Sequence, residues 1–187
     1  MSSDGPGDQP RSAKTPDVYS ALDDCHRLTL AALDRLEAML VRIEAEDISP
    51  ALREMAQDIV HHFSVTVRQH HEDEERDVFA PLAASSNPVV VQAVLMLQQD
   101  HAWLEEDWKE ISPHLDAVAS GQSWYDVDVL REGISIFAAL SRDHIAFEES
   151  LVYPEFQAHL RCGGIPEGGR EIAARRRAER RLDDDAH

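Results

Sequence analysis

His70-His71-Glu72-Asp73-Glu74-Glu75-Arg76-Asp77-Val78-Phe79 has a counterpart later in the chain, His144-Ile145-Ala146-Phe147-Glu148-Glu149-Ser150-Leu151-Val152-Tyr153. Both stretches carry a glutamate four residues after a histidine. In an α-helix, residues i and i+4 stack on one face, so each stretch offers an imidazole and a carboxylate to the same point in space. Two lone histidines, His26 and His101, are interleaved with these pairs. The separations along His26, His70, His101 and His144 are 44, 31 and 43 residues. Six N/O donors on four segments make a dinuclear transition-metal site, provided the segments meet at one height.

The spacings predict that they do. Turn signals fall near 46–49, 85–88 and 120–123. His26 stands roughly 30 Å before the first turn and His70 roughly 30 Å after it, at about 1.5 Å per helical residue. From His70 to the second turn is about 22 Å, and the return to His101 is about 20 Å. The leg around the third turn to His144 balances to within a helical turn. The fold class expected is therefore all-α, an up-down-up-down antiparallel four-helix bundle with all four histidines at one level.

Apolar periodicity marks the four helices. Leu22, Leu30, Leu33, Leu40 and Ile43 recur around His26 at steps of three and four. Ser49-Pro50 opens the second helix, with serine as cap and proline in the first turn. Its stripe runs Leu52, Ile59, Phe63 and Val67, is interrupted by His70 and Glu74, and resumes at Val78 and Leu82. Asn87-Pro88 opens the third helix, where Val94, Leu97, His101, Leu104, Trp108 and Ile111 share a face and Pro113 is expected to kink the last turn. The fourth begins near 124–128 and turns Leu130, Ile134, Phe137, His144, Glu148 and Val152 inward. Residues 1–16 read as a disordered leader, 17–161 as the bundle, and 162–187 as an Arg-rich tail that is partly helical or disordered.

The chain also repeats itself. A shift of 74 residues places Phe63 on Phe137, Arg68 on Arg142, His70 on His144, Glu74-Glu75 on Glu148-Glu149, and Phe79 on Tyr153. His26 falls one residue out of register with His101. Each half is a helix pair with a lone histidine on the first helix and His-x-x-x-Glu on the second.

Composition sets the bounds. At 187 residues, with 43% hydrophobic content, the chain is long enough for one domain with a real core. A formal net charge of -18 argues against nucleic acid and anionic membranes as partners. No apolar run approaches the roughly 20 residues of a membrane span, and no signal-peptide core is evident, so a cytoplasmic location is expected. Cys25 and Cys162 form no CxxC; Cys25 reads as a buried thiol.

Glu74 and Glu148 interrupt apolar stripes, where a bare carboxylate is costly unless paired or metal-bound. A metal-free His/Glu hydrogen-bond network is the competing reading. Imidazole and carboxylate donors suit iron or manganese; zinc, with four preferred ligands, would leave part of the set unused. The second helix admits two registers. His71-x-x-x-Glu75 has the same spacing as His70-x-x-x-Glu74, although the repeat and the Phe63/Val67 stripe favour the latter. Glu105, four residues after His101, is either a further ligand or part of a solvated face. His61, His62, His114, His159 and His187 lack partners of matching spacing and read as surface residues. Trp103, Trp108, Phe79 and Tyr153 read as core and helix-end packing rather than redox relays.

Taken together, His26, the His70-to-Phe79 stretch, Asp100-His101, and His144-to-Tyr153 with Pro154 resemble the hemerythrin-like, HHE cation-binding family over about residues 18–160. The resemblance implies a bundle holding two non-haem iron ions, with oxo or hydroxo and carboxylate bridges. His26, His70, His101 and His144 would be terminal ligands, and Glu74 and Glu148 bridging carboxylates. The family's oxygen carriers have a fifth histidine where this chain has Glu105, and an aspartate five residues after the fourth-helix histidine where this chain has Glu148 at four. Its iron–sulfur repair branch carries an N-terminal cysteine region that residues 1–16 lack. The implied function is binding or sensing of O2, NO or iron; the alternatives are an enzyme turning over hydrogen peroxide or nitric oxide, and iron–sulfur repair.

Overall fold

The computed structural model describes residues 18–45 and 48–161; the leader, the tail and Cys162 lie outside the described residues. Helix α1 spans Val18–Glu44. Helix α2 is a continuous rod over 50–83, interrupted by wide π-helical turns at His62–Val67 and Glu75–Phe79. Helix α3 spans Pro88–Ala119 and continues past Pro113 for a further turn and a half. Helix α4 runs over 127–161 with one π turn at Glu148–Val152. Among the described residues there is no strand.

The start of each of the last three helices is fixed by a side-chain cap that satisfies otherwise orphaned backbone N–H groups. Ser49 accepts from Leu52 N, Asn87 from Val89 N, and Asp126 from both Asp128 N and Val129 N. Pro50 and Pro88 sit just inside, where no N–H is needed.

The helices pack as a square: α1 against α2 and α4, and α3 against α2 and α4. Sequential neighbours are therefore spatial neighbours, as short antiparallel connections demand. The α1–α4 seam closes the square through Arg131 to Glu44 (2.6 Å) and through Arg142 to Asp34 and Glu37 (2.8–2.9 Å). Where α4 crosses α3, Gly133 leaves room for Ile111: a Cβ there would lie 2.3 Å from the isoleucine methyl.

The apolar interior comes in two pieces. One holds Leu33, Leu36, Ile59, Phe63, Leu104, Trp108, Ile111 and Phe137 with their neighbours. The other holds Leu22, Val78, Phe79, Val94, Leu97, Val152, Tyr153 and Phe156. On every helix the divide between them is marked by site residues: His26 on α1, His70 and Glu74 on α2, His101 on α3, His144 and Glu148 on α4. The equal heights expected from spacing alone are thus realised. Trp103 departs from expectation: it is 54% exposed on the outer face of α3 rather than packed in the core.

Candidate metal centre

His26, His70, His101 and His144 are each 6% exposed or less, and Glu74 and Glu148 are fully buried. The structure brings all six together, in two overlapping groups. His26, His70, Glu74 and Glu148 form one; His71, Glu74, His101 and His144 form the other. Within each group, one potential ligand atom per residue lies within 4.8 Å of all the others.

Glu74 belongs to both groups, and Glu148, a member of the first, also reaches His144 of the second. Glu74 Oε1 lies 3.3 Å from His70 Nε2 and 3.8 Å from His26 Nε2, while its Oε2 lies 3.6 Å from His101 Nε2. Glu148 Oε2 lies 3.1 Å from His26 Nε2, while its Oε1 lies 3.2 Å from His144 Nε2. One oxygen of each glutamate thus faces each half, the arrangement two cations sharing bridging carboxylates require.

His71 is the residue whose place the sequence indicates only incompletely. It stands there as an alternative to His70, because a regular helix turns adjacent residues about 100° apart. Both in fact face the interior. Splayed about 100° apart within the regular α segment Arg68–Glu74, they straddle the interior: His70 meets His26 on α1 (ring centroids 4.9 Å) and His71 stacks on His101 on α3 (3.9 Å). The choice between registers dissolves: His70, His71 and Glu74 all reach the centre, and Glu75 does something else.

Glu75 accepts a hydrogen bond from His101 Nδ1 at 2.9 Å, and Glu149 accepts one from His26 Nδ1 at 3.1 Å. With Nδ1 holding the proton, Nε2 presents a lone pair to the centre. An aromatic ring also backs each lone histidine. Tyr153 stacks on His26 (5.2 Å, 8°) and Phe79 on His101 (5.4 Å, 20°), positions equivalent in the repeat. Tyr153 exceeds the packing role expected of it. Its hydroxyl donates to Glu74 Oε1 and lies 3.1 Å from His26 Nε2.

The remaining polar residues fall elsewhere. Glu105 is exposed and pairs with Lys109 at 3.1 Å, outside both groups. His62 meets Thr29 Oγ1 at 3.2 Å, and His114 Nδ1 accepts from the backbone N–H of Asp126 at 2.9 Å, so both have structural partners that spacing did not suggest. Cys25 is buried, as expected.

The electrostatics of the group bear on whether it suits cations. Burial, with the charges of His144 and His26, holds His101 down at about 2. Burial, then His101 and His144, pushes His71 well below its usual value. Burial also opposes a proton on His144, but Glu148, Asp100 and Glu74 outweigh it and hold it up at about 10. Burial would raise Glu148, yet His144 and His26 hold it down at about 2. Without a cation the centre therefore contains an imidazolium–carboxylate pair beside neutral imidazoles. Both oxygens of Glu148 nevertheless lack hydrogen bonds of acceptable geometry, despite close imidazole nitrogens. Buried carboxylate lone pairs left so are costly, and convergent N/O donors around them fit transition-metal cations.

The Hemerythrin HHE cation binding domain matches residues 17–156, three-quarters of the chain. The chain belongs to the hemerythrin HHE cation-binding family. Within this hemerythrin-like domain α3 brings one imidazole, His101, to the clusters and α2 brings two, His70 and His71. An uncharacterised protein from Haemophilus influenzae is similar to it, 27% identical over 155 residues, covering 83% of this chain and 87% of the relative. No helix among the described residues is long and apolar enough to cross a membrane.

Proposed function

We propose that this chain is a cytoplasmic dinuclear iron protein whose centre binds or senses a small ligand such as O2 or NO. His26 and His70 would hold one iron, and His71, His101 and His144 the other. Glu74 and Glu148 would lie between them. The observation that carries the reading is the division of each carboxylate, one oxygen towards each half of the site. Five imidazoles and two carboxylates suit iron better than zinc, which prefers four ligands. When bound, such a pair supplies redox equivalents and Lewis acidity to a coordinated ligand. The chain's own contribution is to orient His26 and His101 through Glu149 and Glu75, to neutralise charge with the two bridging glutamates, and to exclude bulk water with the apolar layers on either side.

Turnover of peroxide or nitric oxide at the same centre is a second reading, favoured by a cavity that gives access to His71, His101 and His144. Metal analysis of protein from iron-replete cells tests the first part, with about two irons per chain expected for a dinuclear carboxylate site. Zinc alone, or less than half an equivalent of metal, overturns it. NO binding without consumption separates sensing from turnover; rapid loss of NO or peroxide favours the enzyme.

A further inference from the structure

We propose that the cavity over His71, His101 and His144 is a binding pocket for a neutral organic molecule with an apolar, flat body and one oxygen or nitrogen donor at its end. Coordination of that donor rests on the metal reading above; reception of the body does not.

The cavity is larger than a diatomic needs. The cavity measures about 520 Å³. A water-sized molecule occupies about 30 Å³ of liquid volume, whereas sites for organic ligands run to about 300–1,000 Å³. Access is also one-sided. The floor is His71, His101 and His144, while His26, His70, Glu148 and Tyr153 are buried and outside the lining. An incoming molecule therefore meets only one half of the centre.

The walls select the body. Phe63, Trp108 and Phe137 touch one another with ring centroids 5.0–5.4 Å apart, and Leu104 and Val67 complete the surface. The three packed rings form one fixed apolar wall of the cavity, which favours a flat apolar group by offset or edge contacts. Polar groups within the cavity are largely engaged already. Trp108 Nε1 donates to Ser64 (3.0 Å), Thr29 meets His62 (3.2 Å), and Ser141 donates to the carbonyl of Phe137 (2.7 Å). Gln98 and Ser112 apart, this leaves the imidazoles of His71, His101 and His144 as the polar anchors.

The mouth argues for a neutral ligand. It lies between α2 and α3, where Arg68 pairs with Glu72 (3.3 Å) and Lys109 with Glu105 (3.1 Å). Glu75, also on the lining, is bound to His101. Charges of both signs are present and paired, so no uniform field draws in an anion or a cation.

The test uses the full chain, metal-free and iron-loaded, titrated with 4-phenylimidazole and with imidazole at mildly alkaline pH. Trp108 fluorescence reports the body and the visible absorption spectrum reports the head. Saturable binding of 4-phenylimidazole is expected, at least about tenfold tighter than imidazole because of the buried ring. Trp108→Phe should abolish the fluorescence response. Ala102→Trp, at the exposed mouth, should weaken binding at least about tenfold, while Ala31→Trp on the outer face of α1 should not. A fluorescence response that is the same with and without iron, with no spectral change, would retain the pocket and sink its connection to a metal. Iron uptake with equal affinities for the two probes, or indifference to Ala102→Trp, would overturn the pocket and leave the metal reading intact.

Discussion

Glu75 on α2 accepts a hydrogen bond from His101 Nδ1 on α3, 2.9 Å away, and so sets the orientation of an imidazole that its own helix does not carry. Glu149 on α4 does the same for His26 on α1 at 3.1 Å. The second glutamate of each Glu-Glu doublet thus reaches across a helix interface while the first faces the centre. Removing such an orienting carboxylate typically costs 10–100-fold in metal affinity. Glu75→Ala should therefore lower affinity by roughly that factor in a chelator competition, without changing stoichiometry. Glu75→Gln, whose carbonyl can still accept from Nδ1, should recover much of the loss. A halved metal content in Glu75→Ala would instead make Glu75 a ligand.

His71 and Glu74 should behave differently. His71 belongs to one donor group and Glu74 to both. Metal analysis should find about half the metal retained in His71→Ala and very little in Glu74→Ala, because losing a shared carboxylate exposes both positions. Full metal content in His71→Ala would return the centre to four imidazoles.

Metal removal should lower thermal stability without melting the helices. Loss of cations would leave both Glu148 oxygens buried and poorly satisfied, at about 1–3 kcal/mol each. Metal binding to the folded state also adds stability by mass action. Far-ultraviolet circular dichroism should show near-native helix in the chelated protein, with a transition well below that of the loaded form. Coincident melting curves would deny any coupling of metal to the core.

The α1–α4 seam makes a small, pH-dependent contribution. Hydrogen bonding from Arg142 holds the Glu37 carboxyl below its ordinary value, overcoming the effect of burial. A carboxylate depressed in the folded state contributes stability above its unfolded value and loses it as pH falls through the folded one. Because these side chains are 35–46% exposed, solvent screening limits Arg142→Ala to about 0.5 kcal/mol at neutral pH. The difference between wild type and variant should shrink as pH drops below about 4. Persistence of the full difference in acid would mean that the arginine acts through packing alone.

Gly133→Ala pits two effects against each other. Alanine gains about 1 kcal/mol of helix propensity over glycine, while overpacking typically costs about 1–3 kcal/mol. A Cβ 2.3 Å from the Ile111 methyl cannot be accommodated without moving one helix, so denaturant titration should show net destabilisation. Combining it with Ile111→Val should remove much of the clash; additive losses would place its cause elsewhere.

The bundle was legible because each helix balances its length about a histidine, a property of spacing that tertiary context does not alter. The caps at Ser49 and Asn87 were equally local. The six donors were legible for a related reason: a carboxylate or imidazole in the middle of an apolar stripe is costly to bury unless a partner or a cation meets it there. His71 was not, because spacing along one helix does not show that two residues about 100° apart can straddle the inward direction, one meeting α1 and the other α3. The orienting roles of Glu75 and Glu149 were hidden because their partners sit on neighbouring helices. Tyr153 read as packing because its stacking on His26 and its hydroxyl contacts depend on the relative rotation of α1, α2 and α4.

The belt of imidazoles and carboxylates cuts the hydrophobic interior at the same height on all four helices. Cooperative unfolding depends on interlocked side chains passing strain from one region to the next, and across this belt the messengers are polar contacts instead of methyl groups. The interior is therefore one bundle in shape and two clusters in packing. The unit containing Leu22, Phe79 and Phe156 is the smaller, and it lies nearest the 84–87 connection and the outer ends of α1 and α4. If the proposed metal joins the two clusters, removing it should let the smaller one open at lower denaturant than the rest. The proposed metal would, by the same contacts, set how tightly one end of the protein is joined to the other.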